Sequence, residues 1–166
     1  MIATMVRVAR SYAAPAARVF DAWIDPAVAG RFLFATAARP MTEVKIDAWI
    51  GGQFRFAAHR GDTRVEHAGR YLAFARPRLL AFALAPCDGV GRTRVTIEVA
   101  SRRAGCRLML AHEGIPAECA QYFKDRWAGI LYGLGETLAQ MRAISGSTPA
   151  RQARARRYQE VSCTTC

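Results

Sequence analysis

The feature that most constrains the fold is a long amphipathic segment near the end of the chain. Its large apolar residues recur at steps of three and four, the period of one helical face: Phe123, Trp127, Ile130, Leu134, Leu138 and Met141. The residues between them are mostly polar, such as Lys124 and Gln140. The segment therefore predicts a long helix with one apolar face, and that face needs a partner surface to cover it.

The preceding region supplies such a surface, because its apolar residues change to the period of two that is typical of strands. Turn signals made of Gly, Asp and Pro separate the expected strands, which are 4–12, 44–46, a strand containing Phe54 and Phe56, 65–74, 79–84, 94–99 and 106–112. Two short helices are expected after the first strand, one that begins with Pro15 in its first turn and ends at Asp25, and another over 27–34. The pattern predicts an α+β fold in which an antiparallel meander buries the terminal helix. The junction of two such layers is a place where a ligand cavity can form.

The charge of the chain suggests nucleic-acid binding, but its distribution does not. The 166 residues carry 24 Lys+Arg against 13 Asp+Glu, a net charge of +11. The arginines are scattered over predicted strands and loops, without a basic helix or an interleaved aromatic motif, so we do not expect a nucleic-acid partner. The segment after residue 144 is basic and poor in apolar residues. We predict one folded domain over 1–144 and a basic, disordered tail over 145–166.

Membrane, metal and cofactor sites are not indicated. The chain has no apolar run long enough to span a bilayer, and Arg7 and Arg10 interrupt the N-terminal region where a signal peptide needs an apolar block. We therefore predict a cytoplasmic protein that does not associate with membranes. Cys163 and Cys166 form a CxxC motif without a second ligand pair, and the three histidines do not have metal-ligand spacing. We expect no metal and no cofactor.

Several segments together resemble the family of activator of heat-shock protein 90 ATPase homologues, within the START-like (SRPBCC) ligand-binding superfamily. The resemblance rests, in order, on AAPAARVFDAWIDPAVAGRF, IGGQFRF, HAGRYLAFARPRLLAFAL, TRVTIEVASRRAGCRLMLAHEGIP and RWAGILYGLGETL. It implies a helix-grip fold, with a curved antiparallel sheet of six to seven strands wrapped on the C-terminal helix and two short helices after strand one. Members of the family are described as ligand binders, as cyclase-like or hydrolase-like enzymes, and as stress-response or co-chaperone-like proteins. One departure is Arg126, where the family usually has Gly before the helix tryptophan, here Trp127.

Two histidines are the main candidates for polar chemistry. His112 continues the face of Leu108 and Leu110. It is either a cavity residue that acts as a general base or orients a polar group of a ligand, or a strand-end histidine bonded to backbone or partly solvated. His67 and Tyr71 share a face of one strand. With Gln53 or Arg55 from the preceding strand, they form either a polar patch at a cavity mouth or a solvent-facing ladder.

The number of large apolar residues exceeds what a thin two-layer core needs, so some are expected to line a pocket. The complete set of candidate ligand-binding residues is Trp23, Phe32, Phe54, Phe56, His67, Tyr71, Phe82, His112, Phe123, Trp127 and Leu131. Gly129, Gly133 and Gly135 either let the helix approach the sheet closely or leave room for a ligand.

The expected function is the binding of a small, mostly hydrophobic molecule between the C-terminal helix and the sheet. A co-chaperone-like or regulatory protein-interaction module is the first alternative, and a cyclase-like or hydrolase-like enzyme that uses His112 or Tyr71 is the second. The expected partners are a small hydrophobic ligand and, under the first alternative, a protein. The sequence is compatible with a monomer or a homodimer.

Overall fold

The fold is one antiparallel sheet packed on a long C-terminal helix. The structure, a computed structural model, describes residues 2–35, 41–86 and 90–160, with side chains described as far as residue 145. The elements in chain order are β1 (Ala3–Tyr12), α1 (Ala16–Ala22), α2 (Pro26–Phe32), β2 (Glu43–Ile46), β3 (Gln53–Arg60), β4 (Thr63–Ala75), β5 (Leu79–Leu84), β6 (Thr93–Arg102), β7 (Gly105–Pro116), a 3₁₀ turn (Ala117–Cys119) and α3 (Ala120–Glu160). The predicted α+β helix-grip architecture is confirmed.

The seven strands lie in the order β1-β7-β6-β5-β4-β3-β2, so the first strand returns to pair with the last. All neighbours are antiparallel, and directly opposed residues share a face of the sheet. Ile97 therefore lies beside Leu110, and Val99 beside Leu108, on the face that α3 covers. These four side chains are at most 4% exposed. In β6 this is the inward face that the alternation of apolar Val95, Ile97 and Val99 with polar residues predicts.

Glycine is required at position 69, where a side chain of the neighbouring strand lies across the backbone. Gly69 of β4 lies opposite Phe54 of β3. A Cβ atom at Gly69 would overlap the Phe54 ring and the carbonyl oxygen of Ala83. The absence of a side chain at Gly69 therefore gives the Phe54 ring its place on the concave face.

The two short helices differ slightly from the expected ranges. Pro15 precedes α1 as its N-cap residue rather than lying in its first turn. Pro26 is the first residue of α2, and the Asp25 carboxylate caps that helix by accepting a hydrogen bond from the Ala27 backbone N–H at 2.9 Å. The second helix was expected to reach residue 34, but it ends at Phe32. Phe34 has a φ of 60°, which no α-helix accommodates.

The predicted stripe of α3 faces the sheet. Trp127, Ile130, Leu134 and Leu138 are at most 6% exposed. The Tyr12 hydroxyl at the end of β1 donates to the Leu131 carbonyl oxygen at 2.8 Å, which fixes the height of the helix over the sheet. Because the Tyr12 side chain is buried, the pKa of its hydroxyl is raised well above its ordinary value, so it remains a donor.

The division into a domain and a tail stays a prediction. The backbone of α3 is helical as far as Glu160, but the side chains from residue 146 onward lie outside the described part of the chain. Cys163 and Cys166 also lie outside it, as does Cys87. Within the described ranges, no helix combines the length and the apolarity needed to cross a bilayer.

Candidate functional site

A pocket of about 630 Å³ lies between α3, the end of α2 and the β3–β4 hairpin. Its apolar lining consists of Phe32, Phe34, Ala35, Met41, Ala58, Val65 and Ile130. A second stripe of α3, beside the core-facing one, forms the opposite wall: Tyr122, Arg126, Gly129, Gly133 and Glu136. A volume of this size lies in the range of small-molecule sites, which is about 300–1,000 Å³.

Two neighbouring clefts are less suited to an apolar molecule. One of about 850 Å³, at the end of β1, has three arginines in its lining, Arg10, Arg18 and Arg142. The other, of about 600 Å³, lies between α2 and α3 and shares Arg31 and Met41 with the main pocket. We therefore regard the 630 Å³ pocket as the candidate site and the 600 Å³ cleft as its extension along α3.

Arg126 is the most strongly positioned polar group of the pocket. Its Nη1 donates to the Tyr122 hydroxyl at 2.9 Å, and its Nη2 lies 3.3 Å from Nε2 of His67. Because a guanidinium group can only donate, Nε2 of His67 is the acceptor in this contact. The guanidinium also lies over the Phe34 ring, with Cζ 5.9 Å from the ring centroid.

Phe34 connects the pocket to the core. Its ring stacks on His67 with centroids 4.4 Å apart, and it contacts the edge of Phe56 at 5.5 Å. Its left-handed backbone conformation is rare for a bulky residue and costs on the order of 1–3 kcal/mol. The surrounding contacts hold the ring in the pocket wall despite this cost. The sequence carries no turn residue at position 34 that would have indicated this conformation.

His112 is part of the core rather than of the pocket. The indole N–H of Trp127 can only donate, so Nδ1 of His112 accepts this bond at 2.9 Å. Its Nε2 then carries the proton and donates to Oγ1 of Thr93 at 2.8 Å. The ring is 0% exposed, and burial lowers its pKa to about 4. Neither of the two alternatives expected for His112 describes it, because both of its nitrogens are bonded to side chains away from solvent.

His67 and Tyr71 share the concave face of β4, as expected, but the proposed companions do not join them. Gln53 and Arg55 are exposed on the opposite face, where Arg55 pairs with Glu66 at 3.2 Å. The residue that lies opposite His67 is Phe56. Tyr71 is 3% exposed, and burial raises the pKa of its hydroxyl. Both the polar patch and the solvent-facing ladder were therefore wrong.

Of the other candidate residues, Phe32 joins His67 in lining the pocket. The rest lie in the packed core behind it, and all except the half-buried Phe123 are buried: Trp23, Phe54, Phe56, Tyr71, Phe82, His112, Trp127 and Leu131. Contact of any of these residues with a ligand stays a prediction. Among the described residues, no three His, Cys, Asp or Glu side chains are grouped closely enough to hold a metal ion.

The three glycines of α3 have different surroundings. A Cβ atom at Gly129 would meet nothing within 4 Å, so this glycine leaves open space in the pocket wall. At Gly133 and Gly135 a Cβ atom would lie 3.6 Å from Phe32 and 3.5 Å from Tyr12, which are ordinary van der Waals distances. Room for a ligand is therefore the better explanation for Gly129, and close approach does not require glycine at the other two positions.

Comparison with known proteins identifies the family. The model of the Activator of Hsp90 ATPase homolog 1-like protein family matches residues 13–139, which is most of the chain. The chain belongs to this family. The match begins directly after β1 and includes the other six strands, both short helices and the part of α3 that lines the pocket. Among curated proteins, none matches the chain significantly.

Several solved structures share the fold, and one of them is an AHSA1-like protein. An AHSA1-like protein from Aeromonas hydrophila is 21% identical, with a TM-score of 0.72 over 83% of this chain and 94% of the other. A protein from Chromobacterium violaceum is 23% identical, with a TM-score of 0.71 over 80% and 94%. A protein of unknown function from Staphylococcus aureus is 11% identical, with a TM-score of 0.76 over 86% and 97%. At these identities the comparison shows the fold alone.

Proposed function

We propose that this protein binds a small, mostly apolar molecule in the pocket between α3 and the β3–β4 hairpin. The helix-grip fold is consistent with ligand binding in general. The observation that carries the proposal is a pocket of about 630 Å³ whose walls are largely apolar and whose helical wall has open space above Gly129. A cytoplasmic location and a role in stress response remain predictions.

Enzymatic use of His112 is not favoured by the geometry. General base catalysis needs a nitrogen that can reach the proton of a bound substrate. Both nitrogens of His112 are engaged, with Trp127 and Thr93, and the ring has no exposed surface. Tyr71 is also buried, and it does not line the pocket. The placement of these groups therefore agrees better with ligand binding than with catalysis.

Gly129 offers a direct test, because a side chain at this position would project into open space in the pocket wall. N-phenyl-1-naphthylamine is an uncharged apolar probe whose fluorescence rises in apolar surroundings. We expect the wild-type protein to bind it saturably, and Gly129→Leu to weaken binding about tenfold or more by filling the pocket. Gly129→Ala is the matched control, since it adds one methyl group and raises helix propensity by about 1 kcal/mol. It should retain most of the binding.

The outcome is interpretable because both substitutions should leave the fold intact. Equal probe affinity in the wild type and in Gly129→Leu would place the probe elsewhere and would contradict the proposal, as would a lack of saturable binding. If the probe binds as expected, native mass spectrometry of protein purified from its own cells would detect a natural ligand as an added mass that is absent from Gly129→Leu.

The protein-interaction alternative would use a different surface. Trp49 and Ile50, in the β2–β3 connection, are 59% and 66% exposed, and this exposed apolar pair is the observation that favours the alternative. Neither residue lines the pocket. The double substitution Trp49→Ser and Ile50→Ser should therefore leave probe affinity unchanged, and it serves as a second control for the pocket experiment.

A further inference from the structure

The geometry points to a ligand that carries a carboxylate at one end, bound by Arg126, with its apolar body along the α3 wall. This inference rests on the proposed function and adds the chemical class of the ligand. Arg126 is half-buried in a pocket whose walls are otherwise largely apolar. A cation in such a position is costly unless a counter-charge reaches it.

The described part of the chain provides no such counter-charge. Arg55, Arg64 and Arg76 each lie within 4.0 Å of a carboxylate oxygen on the protein surface. Among the described residues, Arg126 has no carboxylate within that distance, and neither of its two hydrogen-bond partners, Tyr122 and His67, carries a negative charge. An anionic group on the ligand would supply the missing charge.

The number of free donors on Arg126 matches a carboxylate. A guanidinium group has five N–H donors in a rigid planar arrangement. One N–H of Nη1 is directed to Tyr122 and one of Nη2 to His67, so three N–H groups, including that of Nε, remain for a ligand. Two of these three can form the parallel pair of hydrogen bonds that arginine makes with carboxylates. The contacts with Phe34 and Tyr122 hold the guanidinium in place before the ligand arrives.

The acidic groups of the pocket indicate the orientation of the ligand. Asp125 is exposed and accepts a hydrogen bond from Gln121 at 2.8 Å, one turn earlier on α3. Glu136 is also exposed, and it lies ten residues beyond Arg126, which corresponds to roughly 15 Å along a helix. Arg31 and Arg60 also line the pocket, and the Arg31 guanidinium donates to Gln140 at 2.8 Å, one turn beyond Glu136. Arg126 therefore marks one end of the pocket, and Arg31 with Glu136 marks the other. The apolar body would extend past Gly129 and Gly133, away from Arg126.

Competition against N-phenyl-1-naphthylamine tests the inference. Decanoate and 1-decanol have the same chain length and differ in the head group, so their relative ability to displace the probe isolates the contribution of the carboxylate. We expect decanoate to displace the probe from the wild type about tenfold or more better than from Arg126→Met. This substitution keeps an apolar stem but removes the charge. The ability of decanol to displace the probe should differ by less than about twofold between the two proteins, because its contacts with the pocket wall remain. Arg126→Lys should show an intermediate loss of decanoate binding, since a point charge replaces the planar pair of donors.

Arg103→Met is the matched control, because it removes one positive charge from an exposed turn between β6 and β7 and should affect neither competitor. A similar loss of decanoate binding in Arg103→Met would indicate a general effect of net charge and would overturn the inference. Equal weakening of decanoate and decanol in Arg126→Met would also overturn it, by showing that Arg126 acts through pocket shape. In both cases the proposed function would stand, because the probe itself still binds. Failure of the uncharged probe to bind would instead remove the proposed function.

Discussion

At the scale of single residues, the hydrogen bonds of His112 determine its charge. Folding places its ring between two side-chain partners, one that donates to Nδ1 and one that accepts from Nε2. Protonation would put a second proton on Nδ1, against the indole N–H of Trp127. The neutral form is thus the only one compatible with the observed network, in agreement with a pKa lowered to about 4 by burial.

This network predicts a pH dependence of stability. Below pH 6.5 the unfolded state binds a proton at His112 that the folded state takes up only near pH 4, so the free energy of unfolding falls as the pH is lowered across this window. Between pH 7 and pH 5 the loss from this residue should be roughly 2 kcal/mol. His112→Gln keeps one acceptor and one donor but cannot titrate. Urea unfolding at both pH values should show a smaller loss in this variant than in the wild type.

Trp127→Phe is a useful companion variant, because it removes the indole donor and leaves Nδ1 of His112 buried without that partner. It should lower the free energy of unfolding at pH 7 by about 1–3 kcal/mol. Identical pH slopes in the wild type and His112→Gln would contradict the assignment of the slope to His112, whatever the effect of the Trp127 substitution.

At the scale of elements, the sequence predicted the core-facing stripe of α3 but not the pocket-facing one. Trp127, Ile130 and Leu134 are large and apolar at helical spacing, so they can be recognised without knowledge of their partners. Arg126, Gly129 and Gly133 have the same spacing but look like an ordinary solvent-exposed face. Their role depends on the β3–β4 hairpin and the end of α2, which tertiary folding places opposite them. The departure from the family pattern at Arg126 and the glycines at positions 129 and 133 distinguish this face in the sequence, but they do not indicate which elements lie opposite it.

For the strands, the sequence likewise predicts which face a side chain occupies but not which residues of the next strand lie beside it. Alternation in β6 was enough to predict which side chains point inward, and the structure confirms them. Alternation also placed His67 and Tyr71 on one face, but the choice of Gln53 and Arg55 as their neighbours required the register between β3 and β4. The observed register pairs Phe56 with His67, and a period of two then directs Gln53 and Arg55 to the other face.

The glycines of α3 permit a test at the same scale. If close approach to the sheet requires glycine at position 135, Gly135→Ala should destabilise the protein. The structure places the new methyl carbon 3.5 Å from Cε1 of Tyr12, at an ordinary contact distance. We therefore expect Gly135→Ala to raise the free energy of unfolding by about 0.5–1 kcal/mol, the helix-propensity gain of alanine over glycine. Chemical denaturation would measure it, and a decrease would show that α3 and β1 lie closer together than the structure indicates.

At the scale of the whole molecule, the sheet and the part of α3 before residue 145 together enclose the core and the pocket. The first strand lies beside the last, and Tyr12 is bonded to the middle of α3, so the N-terminal and C-terminal parts of the domain support each other. Pocket formation depends on this arrangement, because α2, the β3–β4 hairpin and α3 are distant in sequence and each provides one wall.

The last prediction concerns the basic segment that follows this domain. Residues 147–166 contain few large apolar side chains, so ordering them gains little burial to offset the entropy that is lost. Deletion of 147–166 should therefore shift the thermal midpoint by no more than about one or two degrees, which is the scale of a neutral surface change. Deletion of 161–166 alone is the matched control, and differential scanning calorimetry with light scattering would compare the three proteins. A large drop in Tm confined to the longer deletion would show that residues 147–160 pack against the domain. If the molar mass fell at the same time, the same segment would be bridging two copies of the chain.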